Sequence, residues 1–186
     1  MKRVRREDIL DYVTYGERRD AMRPAALAAK DARRVQVGEH LTFLFENTVT
    51  VRYQIQEMLR IERIVREADI LHEIETYNEL LGGPGVLGCT LLVGIDDPAE
   101  RERLLTAWVA LPEHVYVRLA AGALVRPQVD ERQRGRGRLS SVQYLRFEVG
   151  AGQPVAVGCD LAGAQAETSL SATQRAALLA DLEVAP

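Results

Sequence analysis

The sequence predicts an α+β protein, with an antiparallel or mixed β-sheet built from hairpins and helices packed against it. Apolar residues make up 47% of the 186-residue chain and charged residues 27%, as in ordinary globular proteins. Stretches with helical apolar spacing alternate with short β-branched runs bounded by glycine. Because these runs come in hairpin-like pairs, their order does not match regular βαβ alternation.

The length of the chain favours one domain, since domains cluster near ~100 to 150 residues. We expect residues 1–186 to form a single domain with three sections. An N-terminal helical segment spans 1–34, a hairpin with two helices spans 35–81, and strands with two further helices span 88–186.

The N-terminal section is expected to contain two helices. Asp8 can cap the first, whose apolar stripe ends at Val13, and Gly16 weakens the helical pattern beyond it. The second is expected to begin at Pro24 and to run to Ala32, because proline is tolerated in a first turn and alanine favours the helix.

The middle section is expected to open with a hairpin whose strands are Val35–Val37 and His40–Phe45. A two-residue loop of the type II′ kind would place Val37 opposite His40. Residues Asp69–Leu81 form the last helix of this section, with Asp69 as N-cap and a glycine-rich stretch after its end.

Between the hairpin and that last helix, Thr50–Ile64 shows the period of a helix. Val51 and Ile55 begin an apolar stripe, and the same spacing places Glu62 on it. A buried carboxylate must be paired, hydrogen-bonded or shifted in pKa, so Glu62 is a residue of interest. An arginine such as Arg52 is its expected partner.

The C-terminal section is expected to combine strands with two helices. The predicted strands are Cys89–Ile95, Val115–Leu119, Leu124-Val125, Val142–Val149 and Val155–Cys159. A helix capped by Asp96-Asp97-Pro98 should bury Leu104, Leu105, Trp108 and Val109 on one face. Ser171 should cap a final helix that runs to Leu182.

Charge and apolar patterning exclude several classes of protein. A net charge of −3 gives no global positive field for nucleic acid or anionic membranes. The longest apolar run, Val86–Ile95, is about half of the ~20 residues that span a bilayer, and Glu7-Asp8 follow the basic N-terminus where a signal peptide needs an apolar run. We therefore expect a cytoplasmic protein with no membrane partner. The arginine-rich loop from Asp130 to Arg138 is interpreted as a solvated loop, and nucleic-acid binding is not expected.

Catalytic motifs are absent, and metal ligands are sparse. The chain has no phosphate-binding glycine loop and no serine elbow. Cys89 and Cys159 lack CxxC partners and are expected to be buried thiols. Glu57, Glu62 and His72 are weak candidate metal ligands, because carboxylates with an imidazole suit iron or manganese. The Glu-x-x-His order of di-iron bundles is missing, and neighbouring arginines favour ion pairs.

The central section resembles a bacterial family known as domain of unknown function 3501. The likeness rests on Leu44-Phe45-Glu46-Asn47, Thr50 and Arg52–Glu62, and it continues at Lys30, Arg33-Arg34, Gly38, Glu73, Tyr77-Asn78 and Tyr144–Glu148. The resemblance implies no activity and no cofactor. It implies a context, since relatives are often encoded beside rubrerythrin-like di-iron proteins and iron–sulfur proteins similar to heterodisulfide reductase subunits. The chain departs from the family pattern at Glu79, Gly94 and Asp160-Leu161-Ala162, where a proline, an acid and an Asp-His-Pro are expected.

Two functional hypotheses remain open from the sequence. In the first, the chain is an accessory or partner protein of a redox or peroxide-defence module, and its 45–62 region binds a rubrerythrin-like or iron–sulfur protein. In the second, it is an enzyme or sensor with a carboxylate- and histidine-lined site for a metal or small ligand. The candidate site residues are Glu46, Arg52, Gln54, Glu57, Arg60, Glu62, Tyr77 and Asn78.

Overall fold

The computed structural model describes residues 1–129 and 137–183. A short 3-10 turn, Arg6–Asp8, precedes six α-helices: α1 Tyr12–Asp31, α2 Thr48–Glu62, α3 Glu67–Asn78, α4 Pro98–Ala107, α5 Leu111–His114 and α6 Ala172–Glu183. The described strands are β1 Arg34–Val37, β2 Leu41–Phe45, β3 Val86–Val93, β4 Val115–Leu119, β5 Leu124–Val125, β6 Pro127–Val129, β7 Val142–Glu148, β8 Pro154–Cys159 and β9 Ala166–Ser169.

The strands form two antiparallel sheets, which confirms the predicted α+β class. The larger sheet has the order β1-β2-β3-β7-β6 and the smaller one β5-β4-β8-β9. Alternation along the strands sends one set of side chains inward, including Phe43, Leu91 and Phe147 from the larger sheet and Val117 and Val157 from the smaller. These side chains share one apolar core with residues of α4 and α6.

A separate apolar cluster holds the helical layer together. It joins the N-terminal segment, α2 and α3 through Met1, Val4, Ile9, Val51, Ile55, Leu59, Ile70, Ile74 and Leu81. None of these residues belongs to a strand, so the helical layer has a core of its own, distinct from the core between the sheets. Within the described residues, no helix combines the length and apolar character needed to cross a membrane.

The two helices predicted for the N-terminal section form a single helix, α1. Its N-cap is Asp11, which accepts from the amides of Val13 and Thr14, whereas Asp8 lies in the 3-10 turn before it. Pro24 is inside the helix rather than at its start. A Cβ at Gly16 would meet no atom within 4 Å, so this glycine lies on an open face of α1. Its low helix propensity does not end the helix.

Other local predictions were wrong by one residue or one element. The β1–β2 loop holds three residues, so Val37 pairs with Leu41 rather than with His40. Arg66 precedes α3 without a side-chain cap, and Asp69 forms an ion pair with it instead. Val109 is 41% exposed, because α4 ends before it.

The last helix and the cysteines agree with the sequence. Ser171 accepts from the amide of Gln174, which confirms it as the cap of α6. Cys89 and Cys159 are buried free thiols. Strands β6 and β9 were not predicted. Arg132, Arg134 and Arg136 of the arginine-rich loop lie outside the described residues, while Arg138 pairs with Glu102 at 2.7 Å.

Candidate functional site

Glu46 joins the end of β2 to the start of α2. Asn47 caps α2 by accepting from the amides of Val49 and Thr50. The Thr50 hydroxyl donates to one oxygen of Glu46 at 2.5 Å, and the Thr90 hydroxyl donates to the other at 2.8 Å. Since Glu46 is buried and both of its oxygens accept hydrogen bonds, its contacts are those of a residue that fixes helix to sheet.

Glu57 is the centre of a polar seam between α1 and α2. Arg19 donates to both of its oxygens, at 2.8 and 2.9 Å, and the Tyr15 hydroxyl donates at 2.7 Å. Arg60 adds a contact at 3.3 Å from the following turn of α2. These partners, Arg19 above all, hold the pKa of Glu57 at about 2. The carboxylate is therefore fully engaged and ionised at neutral pH.

The Glu57 contacts also change the groups around it. Burial and the hydrogen bond to Glu57 raise the pKa of Tyr15, so its hydroxyl stays protonated. Arg60 donates through one terminal nitrogen only, and its Nε is buried without a partner among the described residues. The polar seam, defined as Tyr15, Arg19, Glu57 and Arg60, has the composition of a structural ion-pair network.

Gln54 lies near two further candidates. Lys30 donates to its side-chain oxygen at 3.4 Å, and burial lowers the pKa of this lysine. Burial raises the pKa of Tyr77, and a hydrogen bond with Gln54 opposes that shift. Arg52 is half-buried and makes no hydrogen bond or ion pair with a described residue. Tyr77 also lines the cavity described below.

Glu62 does not lie on a buried face, and that expectation is wrong. The stripe of Val51, Ile55 and Leu59 is buried as predicted, but Glu62 is exposed. The helical spacing is right and the helix ends too early: Glu62 is the last residue of α2, and Arg63 turns the chain with a φ of 52°. Glu62 therefore faces solvent, although Leu59 in the same turn is buried.

The candidate metal ligands do not come together. Glu57 belongs to the polar seam, whereas Glu62 and His72 are exposed. Across 1–129 and 137–183, no three His, Cys, Asp or Glu side chains are placed to hold a metal ion.

Two side-chain amides hold the N-terminal segment against the helices. Asn78 accepts from the amide of Val4 at 2.9 Å and donates to its carbonyl at 2.8 Å. Gln56 does the same with Leu10, at 2.8 and 3.0 Å. Both amides are buried, so each pair replaces the backbone hydrogen bonds that water would otherwise make. Asn78 therefore positions residues 1–5 rather than only ending its own helix.

The N-terminal segment held in this way forms one wall of a cavity of about 1200 Å³. Its other walls are the face and C-terminal end of α3, the turn that follows α3, and the outer side of β6 and β7. The lining residues are Met1, Lys2, Arg3, Arg5, Met58, Glu73, Thr76, Tyr77, Asn78, Glu79, Leu80, Leu81, Gly82, Gly83, Pro84, Cys89, Gln128, Tyr144, Leu145 and Arg146. Since Lys2, Arg3 and Tyr144 are exposed, the cavity opens to solvent.

The turn after α3 is shaped by close backbone contact. A Cβ at Gly82 would lie 2.0 Å from the carbonyl oxygen of Val86, and one at Gly88 would lie 1.9 Å from that of Leu80. No side chain fits at either position. These glycines bring the end of α3 directly onto β3, which closes the floor of the cavity.

Cationic side chains surround the entrance to the cavity. Lys2 and Arg3 form no ion pair with a described residue, and Arg5 pairs with Glu7 at 2.6 Å. Arg146 donates to the carbonyls of Glu79 and Leu81, at 3.4 and 3.2 Å. Those carbonyls are neutral, and Arg146 has no carboxylate partner among the described residues.

The candidate site residues named from the sequence divide between this cavity and the layer beside it. Tyr77 and Asn78 line it, whereas Glu46 and the polar seam lie in the supporting layer. Lys2 and Arg3 were not predicted, because a basic N-terminus resembles any solvated end of a chain. Tyr144 and Arg146 could have been found: they alternate with the buried Leu145 and Phe147 and so had to share the outer face.

Comparisons with known proteins identify a matching family and a similar solved structure. The sequence profile of the family described as "Protein of unknown function (DUF3501)" matches residues 3–182. A crystal structure of a novel protein of unknown function from Burkholderia pseudomallei K96243 is similar, with 29% sequence identity and a TM-score of 0.89. The match covers 98% of this chain and 100% of the other. A comparison with curated proteins found no match.

Proposed function

Because the chain belongs to the DUF3501 family, whose function is unknown, we propose from its own geometry that it is a non-catalytic accessory protein that binds a partner. The proposed setting is a cytoplasmic redox or peroxide-defence module, and the proposed partner is a rubrerythrin-like or iron–sulfur protein. This setting rests on the family resemblance described above.

A non-catalytic role is supported by how the central polar residues are used. The side chains of Glu46, Glu57 and Asn78 each form hydrogen bonds with other parts of the same chain. A general acid or base needs a free position toward a substrate and a pKa near the working pH, whereas the pKa of Glu57 is about 2. These residues therefore support the scaffold.

Partner binding is supported by an apolar corner, which we define as Ile61, Val65 and Leu71. They are 63%, 65% and 48% exposed, which makes them three of the four most exposed large apolar side chains described. Ile61 lies at the end of α2, Val65 in the connection that follows and Leu71 in the second turn of α3. Ile61 also belongs to the stretch that carries the family resemblance. Large apolar side chains left exposed along one short stretch of chain are typical of protein interaction sites, and this exposure carries the proposal.

Affinity isolation from the native host tests this function. The chain is expressed with a C-terminal tag, since the N-terminal segment lines the cavity, and co-purified proteins are identified together with their iron content. Wild type should retain a rubrerythrin-like or iron–sulfur protein, and Ile61→Asp should lose it because a carboxylate cannot be desolvated against an apolar partner.

Leu124→Asp is the matched control, because Leu124 is 41% exposed on β5 of the smaller sheet, whereas the apolar corner belongs to the helical layer. It should retain the partner. Isolation of the wild-type chain with no redox protein, or retention of that protein by Ile61→Asp, would contradict the proposal.

A sensor of a small ligand is the second candidate, favoured by the cavity of about 1200 Å³. Its carboxylate- and histidine-lined form is not favoured, since Glu57, Glu62 and His72 lie apart. Mass spectrometry of untagged native protein, under conditions that preserve non-covalent complexes, should reveal a bound small molecule in this case. Protein that is free of any such mass, and of iron, manganese and zinc, would oppose it.

A further inference from the structure

The cavity has the features of a binding site for a molecule with an apolar body. Ligand pockets in proteins hold roughly 300–1,000 Å³ and are lined mainly by apolar and aromatic side chains with a few polar groups. Here Met58, Leu80, Leu81 and Pro84 supply apolar walls. Tyr77 and Tyr144 add aromatic rings on two different walls, one from α3 and one from β7.

The charge at the entrance indicates the sign of the ligand. Lys2, Arg3 and Arg146 form no ion pair with a described carboxylate, and the carboxylates of Glu73 and Glu79 are the described acids in the lining. The chain as a whole has 27 acidic and 24 basic residues, so this entrance is cationic against the net charge of the molecule. A local excess of that kind attracts anions and guides them to the site.

The cations also lie where a head group would remain near water. Lys2 and Arg3 are exposed, whereas the apolar walls lie deeper, at Leu81 and along the half-buried end of α3. A ligand whose apolar body lies against the walls and whose charged head lies at the entrance would match both the apolar walls and the exposed cations. Arginine is well suited to the head, because its planar guanidinium binds carboxylate and phosphate through two hydrogen bonds.

From these observations we propose that the cavity binds an amphipathic anion, meaning an apolar chain or ring that ends in a carboxylate, sulfonate or phosphate group. Lys2, Arg3 and Arg146 bind the head, and the walls made by the end of α3 and by β7 bind the apolar body. This site is separate from the apolar corner, so it goes beyond the proposed partner binding and can fail or hold independently of it.

Calorimetric titration of the full chain with three probes tests the proposed ligand chemistry. Dodecanoate carries both required features, dodecyltrimethylammonium has the same chain with the opposite charge, and inorganic phosphate is an anion with no apolar body. All are used below micelle-forming concentrations. Dodecanoate should bind at one site at least tenfold more tightly than either of the other two. Absence of dodecanoate binding, or equal binding of the cationic or the phosphate probe, would overturn the proposal.

Two pairs of variants place that binding in the cavity. Lys2→Gln with Arg3→Gln should weaken the binding of dodecanoate about tenfold, because it removes two of the cations at the entrance. Arg18→Gln with Arg23→Gln removes the same charge from exposed positions on α1 that have no described ion-pair partner, and it should leave the affinity for dodecanoate unchanged. Thr76→Trp places a large ring in the cavity from the exposed face of α3 and should weaken dodecanoate binding at least tenfold.

His72→Trp is the control for that bulky substitution, because His72 lies one turn earlier on α3, is exposed and does not line the cavity. It should bind dodecanoate like wild type. Thermal unfolding of all four variants confirms that they fold. Unchanged affinity in the folded Thr76→Trp variant, or equal losses in the two charge-removal variants, would overturn the assignment to the cavity.

Discussion

The polar seam and the cavity entrance both carry arginine, tyrosine and glutamate side chains, yet they use them in opposite ways. In the seam, Glu57 is bound by Arg19, Arg60 and Tyr15 within 3.3 Å. At the entrance, Lys2 and Arg3 have no described acidic partner. The polar residues of the seam are thus paired within the chain, whereas the cations at the entrance are the ones proposed to bind a ligand.

If paired charges support the fold, the largest loss of stability should come from the most deeply buried pair. Arg33 donates twice to Asp181, at 2.7 and 3.0 Å, and joins the end of α1 to α6. Their side chains are 10% and 7% exposed. Asp181→Asn leaves a buried guanidinium without its counter-charge, so the free energy of unfolding should fall by about 3–5 kcal/mol in urea denaturation.

Asp31→Asn is the matched control for that change. Asp31 pairs with Arg34 at 3.7 Å, and both side chains are more than half exposed. Exposed pairs contribute little, so the loss should stay below about 1 kcal/mol. Equal effects of the two substitutions would refute the claim that burial makes the Arg33–Asp181 pair important.

Glu57→Gln should have the next largest effect, about 2 kcal/mol at neutral pH, because Arg19 and Arg60 lose their counter-charge. The effect should depend on pH. The pKa of Glu57 is lowered from 4.5 to about 2, so its contribution is present above pH 4.5 and is lost as the pH falls toward 2. Unfolding curves of wild type and Glu57→Gln should therefore converge as the solution is acidified.

The comparison of wild type with Glu57→Gln separates the titration of Glu57 from that of the other acidic residues. Asp160 also has a pKa of about 2, held there by Arg126 and His114, and it titrates identically in both proteins. A difference in the free energy of unfolding that stays constant between pH 7 and pH 2 would show that the ionised carboxylate of Glu57 does not stabilise the fold.

Asn78→Ala should cost less, about 1–3 kcal/mol, by leaving the amide and carbonyl of Val4 without partners. Because Asn78 holds the cavity wall, amide hydrogen exchange at Val4 should also speed up. The exposed neighbour Glu75 serves as the control, and Glu75→Ala should leave exchange at Val4 unchanged. Slow exchange at Val4 in Asn78→Ala would mean that apolar packing alone fixes the N-terminal segment.

The sequence predicted what depends on local spacing and missed what depends on distant contacts. Strand β4 and the stripe of α2 follow from the pattern of apolar residues, and both were predicted. Strand β9 was missed because Ala166–Ser169 has no apolar alternation and is ordered by pairing with β8. The interpretation of Glu62 failed because spacing does not show where a helix ends.

The candidate site divides along the same line. Asn78 was identified, but its contact with Val4 spans 74 residues and has no signal in the sequence. Gln56 was treated as one residue of the family signature, although it makes the equivalent contact with Leu10. Side-chain to backbone contacts of this range depend on how the helices pack, so the cavity that they build could not be predicted from spacing.

The central claim, that the polar seam supports the fold while the cavity entrance binds, is tested most directly by measuring unfolding and dodecanoate affinity on the same two variants. Glu57→Gln should lose about 2 kcal/mol of stability and keep the wild-type affinity. Lys2→Gln with Arg3→Gln should lose about tenfold in affinity and stay within about 0.5 kcal/mol of wild-type stability. Equal losses of stability and affinity in both variants would contradict this division.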